Sequence, residues 1–214
     1  MQQSTNPPAP QPTSPPVFLL SPARCDGRRA QLLMNESAEF PLAMTLRGAG
    51  APIGEVFSFL SGLYFRGKLS YARAFGLHTG ERPGILVITT NRGLVAPDTP
   101  VSLDDLRSFA TIDIAGGGDS FRNPLRRDAE RLRAQIDPDR CVVLLGSIAT
   151  GKYADALLEV FGDRLLFPSE FVGRGDMSRG GLMLRCVREE RELDYIPVNG
   201  AVRRGKRPPK LGRA

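Results

Sequence analysis

The sequence predicts an α/β fold, with a mostly parallel central sheet and helices on both faces, a three-layer sandwich. Four short runs are apolar and rich in branched residues, at positions 17–20, 85–89, 141–145 and 164–167. Strands that are apolar on both faces are typical of parallel sheets covered by helices. Segments with helical periodicity separate the runs, as parallel connections require.

The connecting segments carry recognisable helix signals. Ser102 stands before two acidic residues, a pattern that caps a helix and complements its N-terminal dipole. Asn123 followed by Pro124 indicates the start of the longest helix. Residues 172–181 are predicted to form a Gly-rich loop, and the helix or strand state of residues 181–197 stays open. The predicted helices cover residues 37–46, 53–60, 63–75, 103–109, 123–136 and 153–161.

Composition predicts one globular domain over residues 17–198, flanked by two tails. The chain has 214 residues, of which 41% are hydrophobic and 24% charged. No apolar run approaches the 18 residues of a membrane-spanning helix, and the N-terminus lacks a signal-peptide pattern. A cytoplasmic protein without a membrane partner is therefore expected. Residues 1–16 contain six prolines and no charged side chain, so they are predicted to be disordered.

The net charge of +6 belongs to the C-terminal tail, residues 199–214. That tail has six basic residues and no acidic one, so residues 17–198 are neutral overall. A basic tail attracts nucleic acid or an anionic surface by Coulomb forces and counterion release. It can equally serve as a solubilising end, and both interpretations stay open. Residues beyond about 201 are expected to lack packed contacts.

Cysteine and histidine usage argues against a metal site. Three widely spaced cysteines lack the paired spacing of zinc ligands, and His78 is the single histidine. No metal and no cofactor are predicted. Cys25 lies among arginines, where positive charge lowers a thiol's pKa, so it is a candidate reactive cysteine. Cys141 and Cys186 lie in apolar runs and are expected in the core.

Residues 146–152, Gly-Ser-Ile-Ala-Thr-Gly-Lys, follow a predicted strand and open a predicted helix. They match the phosphate-binding loop, but Tyr153 replaces the Ser or Thr that holds Mg²⁺, which argues against ATP hydrolysis. Backbone N–H groups at a helix N-terminus still favour an anion. The alternative is a tight strand-to-helix turn. The predicted phosphate-binding residues are Ser147, Thr150, Gly151 and Lys152.

Residues 63–75 interleave aromatic and basic side chains. Aromatic faces stack on bases and cations contact phosphates, so Tyr64, Arg66 and Lys68 suit a nucleotide or single-strand surface. The alternative is an amphipathic helix whose basic side faces solvent.

Acidic and basic residues also alternate in the segment after the run at 164–167. Glu170 and Asp176 are candidate catalytic carboxylates, as an acid–base pair or as stabilisers of an oxocarbenium ion. Arg174 and Arg179 are candidate nucleic-acid contacts beside them. The alternative is a set of surface ion pairs of little energetic value.

Several blocks together resemble a bacterial family of uncharacterised proteins. The blocks are Leu-Leu-Ser-Pro-Ala at 19–23, Leu-Tyr-Phe-Arg-Gly-Lys at 63–68, Thr-Asn-Arg-Gly-Leu-Val-Ala-Pro at 90–97 and Leu-Gly-Ser-Ile-Ala-Thr-Gly-Lys-Tyr at 145–153. That family is associated with the uracil-DNA glycosylase-like superfamily, including accessory domains of 7-deazaguanine nucleic-acid modification. The resemblance covers about residues 17–198, and it implies an α/β fold with a base or nucleotide in its pocket.

The sequence departs from the catalytic motifs of the uracil-DNA glycosylases. The acid-and-proline motif of the first loop has at best Asp26-Gly27 as its counterpart. The His-Pro-Ser motif is matched by Pro168-Ser169 without a histidine. Ordinary uracil excision is therefore not expected.

Ligands of parallel α/β sheets bind at the carboxyl ends of the strands. That rule selects the loops at residues 21–29, 90–97, 146–152 and 169–179. The expected function is binding of a nucleobase or nucleotide there, with cleavage or exchange of an N-glycosidic bond in nucleic acid as its catalytic form. The alternatives are a non-catalytic nucleic-acid-binding module and an accessory partner of another enzyme, so whether the protein is an enzyme stays open.

Overall fold

The computed structural model describes residues 15–76, 84–112, 114, 116, 118–206, 208 and 209. Outside this part of the chain lie residues 1–14 of the predicted tail at 1–16, His78 and the last residues of the basic tail. The expectation that the N-terminal tail lacks packed contacts is wrong at its last two residues, since Pro16 is buried and the Pro15 carbonyl oxygen accepts from Arg140 Nε at 2.9 Å. The strands are β1 (Val17–Leu20), β2 (Ala51–Pro52), β3 (Ile85–Ile88), β4 (Leu94–Val95), β5 (Pro100–Val101), β6 (Val142–Leu145), β7 (Leu165–Pro168) and β8 (Tyr195–Pro197). The α-helices are α1 (Arg28–Met34), α2 (Pro41–Arg47), α3 (Ile53–Ser61), α4 (Leu63–Phe75), α5 (Leu103–Thr111), α6 (Asp119–Gln135), α7 (Ala154–Phe161) and α8 (Asp176–Arg188).

Six strands form the central sheet in the order β4-β3-β1-β6-β7-β8. The four inner strands are parallel, and an antiparallel strand closes each edge. Phe18 of β1 pairs with Ile85 on one side and Val143 on the other, and every residue of β1 and β6 is buried. The prediction that the four apolar runs lie in one mainly parallel sheet is confirmed. β2 and β5 form a separate antiparallel pair.

The strand order reverses at β1, since the chain passes from β1 to β3 on one side and then to β6 on the other. Crossovers between parallel strands are right-handed, so this reversal puts the two sets of helices on opposite faces of the sheet. Helices α3, α4 and α8 pack together, and α6 packs on α7. The three-layer α/β architecture is confirmed.

Helix α4 has the predicted bounds, and Ser102 and Asp105 form a reciprocal capping box at the start of α5. Helix α6 begins before its predicted start, because Phe121 is buried and draws the preceding turn into the helix. Pro124 consequently lies inside the helix. The predicted loop at 172–181 is wrong from Asp176 onward, where α8 begins. The glycines of this segment favour a loop, but Gly180 allows α8 to pack closely against α4.

A chain of hydroxyl groups ties α4 to the C-terminal strand. The Tyr71 hydroxyl accepts a hydrogen bond from the Leu193 N–H at 2.7 Å and donates to the Tyr195 hydroxyl at 2.7 Å. The Tyr195 hydroxyl in turn donates to Glu192 Oε1 at 2.7 Å. This network fixes α4 against the edge of the sheet.

The described part of the basic tail packs against the domain. The guanidinium of Arg203 donates to Asp155 Oδ1 at 2.6 Å, and the carbonyl of Lys206 lies directly against Gly173. The expectation that residues beyond about 201 lack packed contacts is wrong at these positions. In the part of the chain that the structure describes, none of the helices has the length and apolar character needed to span a bilayer.

Candidate functional site

A cavity of about 800 Å³ opens at the carboxyl ends of the parallel strands. Its walls come from residues 21–26 after β1, from Thr90 after β3, and from residues of α4 and α8. The segment after β6 contributes Ser147, Thr150, Lys152 and Tyr153. We call this cavity the strand-end crevice. It lies where the strand order reverses, the position at which open α/β sheets bind ligands. All four loops that the sequence selected contribute to it.

The crossing of α4 and α8 brings two walls of the crevice together. Gly67 and Gly180 meet at this crossing, so the two backbones are in direct contact. A Cβ atom on Gly180 would lie 2.6 Å from the Leu63 carbonyl oxygen, and one on Gly67 would lie 2.7 Å from the Gly180 carbonyl oxygen. This close approach places Tyr64 of α4 and Asp176 of α8 at the same crevice.

Lys68 lies beneath the crevice and is 1% exposed. Its Nζ donates to the Ser21 carbonyl oxygen at 2.6 Å and lies 2.8 Å from Ser21 Oγ. Nζ also lies 4.4 Å from the ring centroid of Tyr64 and 4.7 Å from that of Phe65. Burial lowers the pKa of Lys68 to about 7, against a smaller opposing effect of Asp176. The amine is therefore held without a carboxylate bonded to it among the described residues.

Two phenols border the same space. Tyr64 is 6% exposed, and its hydroxyl makes no hydrogen bond of ordinary length and angle to a described residue, although the Arg179 guanidinium lies close enough to lower its pKa. The nearby Arg179 donates to the Phe171 carbonyl oxygen instead, at 3.1 and 3.0 Å. The Tyr153 hydroxyl accepts from the Ser147 N–H at 3.1 Å. Burial raises the pKa of both phenols, so both remain neutral donors at neutral pH.

The predicted phosphate loop supplies side chains to the crevice. Ser147, Thr150 and Lys152 line it, whereas Gly151 does not, and α7 begins at Ala154. The Ala149 N–H bonds to Ser147 Oγ at 3.4 Å, within the loop itself. Lys152, together with the two hydroxyls, is therefore the feature of this loop that favours an anion.

The Asp155 carboxylate lies against Gly151 and is paired with the tail residue Arg203. An acidic side chain thus occupies the N-terminal turn of α7, where the helix dipole favours negative charge. A carboxylate of the protein itself therefore already lies beside this helix start.

The two candidate carboxylates are separated by the structure. Asp176 lines the crevice at the start of α8, with its carboxylate 68% exposed and 3.6 Å from the Arg179 guanidinium. Glu170 lies in a short 3₁₀ helix, Ser169–Phe171, and is not among the residues that line the crevice. The two therefore do not flank one described cavity as an acid–base pair would.

The predicted nucleic-acid contacts do not form one exposed surface. Arg66 is exposed, but Lys68 and Arg179 are buried, and Tyr64 faces the crevice. Arg174 donates from Nε to the Glu170 carbonyl oxygen at 2.9 Å and is half-buried. A strand of nucleic acid lying along the outer face of α4 would thus contact Arg66 but not Lys68.

Cys25 lines the crevice but is not an activated thiol. It is buried, and its Sγ donates to the Ala23 carbonyl oxygen at 3.4 Å. Burial, with a contribution from Asp26, raises the pKa of Cys25 to about 12. The expectation of a lowered pKa is therefore wrong, because Arg24 is exposed and pairs with Asp26.

Sequence reasoning missed the role of Ser21 and misplaced Lys68. The strand-end rule selects the loop at 21–29, which begins with Ser21, but nothing in the sequence singles out that serine within the loop. For Lys68 the helical spacing held a signal, because it is four residues from Tyr64 and from Ala72, both buried. That spacing puts the lysine on the inner face of α4.

Comparisons with protein-family models, with curated proteins and with solved structures found no match to this chain. The described residues contain no cluster of three His, Cys, Asp or Glu side chains that could hold a metal ion. We therefore infer the function from the chemistry of the strand-end crevice.

Proposed function

We propose that the protein binds a nucleobase or nucleotide in the strand-end crevice. The observation that carries this proposal is a strand-end cavity whose wall holds the Tyr64 hydroxyl, a buried donor that makes no well-formed hydrogen bond to a described residue. A buried hydroxyl without a partner costs free energy, and a ligand with a polar edge would supply the missing hydrogen bond. The cavity volume falls within the 300–1,000 Å³ typical of small-molecule sites.

The crevice has an apolar side and a polar, cationic side, which match the base and the phosphate of a nucleotide. Leu60, Phe109 and Ile112 give an apolar wall against which a flat base can pack. Thr150 and Lys152 give a polar and cationic rim that favours a phosphate group. The sequence resemblance implies the same class of ligand, independently of the cavity.

Replacing Lys152 with alanine is expected to weaken binding of a nucleoside monophosphate about 5- to 150-fold. That range corresponds to about 1–3 kcal/mol for a lost hydrogen bond to a charged group. Binding of the matching nucleoside, which has no phosphate, should change little. Isothermal titration calorimetry with both ligands measures the difference. Tyr64→Phe should weaken nucleoside and nucleotide alike, because its hydroxyl is assigned to the base.

Lys206→Ala is the matched control, since Lys206 is exposed and does not line the crevice. It should bind both ligands as the native protein does. Equal affinities of the native protein and Lys152→Ala for the monophosphate would contradict the assignment of the phosphate to this rim. No binding of nucleosides or nucleotides by the native protein would contradict the proposed function as a whole.

Cleavage of an N-glycosidic bond is the catalytic form of the proposal, and Asp176 is the residue that would stabilise the developing cation. Asp176→Asn should lower base release from an oligonucleotide about 10²- to 10⁴-fold, the range of a lost acid–base group. Glu170→Gln is the control, because Glu170 lies outside the crevice lining and should retain the rate. Chromatography of the released base measures both variants.

Binding of oligonucleotides without base release by the native protein would favour the alternative, a non-catalytic accessory module. The exposed Arg66 and the basic residues of the tail would then carry the contacts to phosphates. Such binding should weaken steeply with salt, because cations that neutralise phosphates release counterions.

A further inference from the structure

Ser21 and Lys68 form a pair that the proposed function does not use. Ser21 directly follows β1, a strand in the middle of the sheet, and lines the strand-end crevice. Its Oγ lies 2.8 Å from Lys68 Nζ, and its carbonyl oxygen accepts from the same Nζ at 2.6 Å. A neutral amine can satisfy both contacts, donating one hydrogen to the carbonyl and accepting the hydroxyl proton on its lone pair.

We propose that Ser21 is a nucleophile and Lys68 its general base, in acyl transfer from carboxylic esters that enter the strand-end crevice. This activity goes beyond nucleotide binding and does not depend on it. A lysine in place of histidine is an established way to activate a serine hydroxyl.

The geometry meets the requirements of such a pair. The base lies within hydrogen-bonding distance of the hydroxyl, and a third group, the Ser21 carbonyl, fixes the amine. The Tyr64 and Phe65 rings hold Nζ from the other side and exclude water. Within the described part of the chain, no lysine or histidine pairs with another crevice serine: Ser147 Oγ, for example, accepts the Ala149 N–H.

The surroundings of Lys68 favour the neutral amine. The ionisable groups that act on it or border it are Tyr64 on α4, Asp176 and Arg179 on α8, and Tyr153 before α7. Burial, the largest effect, lowers the pKa of Lys68 to about 7. Asp176 opposes it, and Arg179 has a smaller effect in the same direction as burial. A large fraction of the lysine is therefore an unprotonated base at pH 7 to 8.

The reaction balances without a further reactant besides water. Ser21 Oγ bonds the ester carbonyl carbon while Lys68 takes the hydroxyl proton, and the carbonyl oxygen becomes an oxyanion. The Tyr64 hydroxyl in the crevice wall, which makes no well-formed hydrogen bond to a described residue, is the donor available to that oxyanion. Collapse breaks the carbon–oxygen bond to the alcohol, which leaves with the proton from Lys68. Water, deprotonated by Lys68, then hydrolyses the acyl-serine to a carboxylic acid and restores Ser21.

Labelling of the native full-length chain with an alkyl fluorophosphonate tests the pair. The serine oxygen would displace fluoride from phosphorus, and mass spectrometry of peptides would locate the adduct on Ser21. The labelling rate should rise about tenfold from pH 6 to pH 8, as Lys68 loses its proton. Ser21→Ala should abolish the adduct, and Lys68→Met should lower the rate at pH 8 at least 100-fold. The control Ser61→Ala, which alters another serine lining the crevice, should be labelled like the native protein.

Several results would overturn the proposal. An unlabelled native protein at pH 8, an adduct on another residue that persists in Ser21→Ala, or a pH-independent rate would each do so. If Lys68→Met does not fold, as judged by circular dichroism, Ser21→Ala and the pH profile of the native protein still decide. p-Nitrophenyl acetate gives a second readout, because a burst of nitrophenol stoichiometric with the protein is expected and must vanish in Ser21→Ala.

Discussion

Gly180→Ala is expected to destabilise the protein by about 3 kcal/mol or more, at or beyond the upper end of overpacking costs. A Cβ atom at position 180 would lie 2.6 Å from the Leu63 carbonyl oxygen and 2.8 Å from the Tyr64 Cα. Both atoms belong to the backbone of α4, so no side-chain rotation can relieve the contact. The helices must separate, and the packing between α4 and α8 is lost over its length. Urea denaturation monitored by circular dichroism measures the change in the free energy of unfolding.

Gly175→Ala is the matched control for this prediction. Gly175 precedes α8, and a Cβ atom there would meet nothing within 4 Å. Its backbone φ is −80°, which any residue adopts, so this variant should unfold within about 0.5 kcal/mol of the native protein. Similar midpoints for Gly180→Ala and Gly175→Ala would show that the helix crossing tolerates a side chain. A destabilised Gly180→Ala should also bind ligand more weakly, because Tyr64 and Asp176 lie on the two helices that move apart.

The free energy of unfolding is expected to rise between about pH 7 and pH 8.5, at up to about 1.4 kcal/mol per pH unit, the value for one proton. The cause is Lys68, whose pKa is lowered by burial from 10.5 to about 7 in the folded chain. Between those two values the unfolded chain binds the extra proton, so stability increases as pH rises. Well below pH 7 Lys68 is protonated in both states, so the folded chain bears the full cost of burying an ammonium and the free energy of unfolding no longer changes with the titration of Lys68.

Lys68→Met should remove that rise, because methionine fills similar volume without a titrating group. Lys206→Met, at an exposed position, should keep it. Above about pH 9 the slope should turn negative, and it should do so at a lower pH in Lys68→Met, because Lys68 keeps raising the stability of the other two proteins up to its unfolded pKa of 10.5. Burial raises the pKa of Cys25 from 9.0 to about 12. The thiol therefore ionises first in the unfolded chain, which stabilises the unfolded state and lowers the free energy of unfolding. Denaturation at half-unit steps from pH 6 to pH 10 separates these effects, and a slope between pH 7 and 8.5 that Lys68→Met retains would contradict the assignment to Lys68.

The strands and most helices could be predicted because their signals are local. The run at 142–145 is apolar on both faces and forms a fully buried strand, and Ser102 caps α5 through its own neighbours. The position of the crevice also followed, since the carboxyl ends of parallel strands meet at one edge of a sheet. Helix α8 could not be predicted from local signals, because glycines disfavour a helix. Gly180 is there to allow close packing against α4, which is more than 100 residues away in the sequence.

The sequence by itself determined the layered α/β fold, the polar loops at its strand ends and the neutral charge of the domain, because periodicity, apolar runs and composition require no partner. The tertiary structure alone decided the chemistry within the crevice. In the sequence, Lys68 is one of several basic residues in a predicted helix. In the fold it is a buried amine, because the Gly67–Gly180 contact brings α8 over that face of α4. Ser21 gained its neighbour 47 positions away in the same way. A pKa and a nucleophile depend on desolvation and on distances across the fold, and neither can be determined from the residues adjacent in the chain.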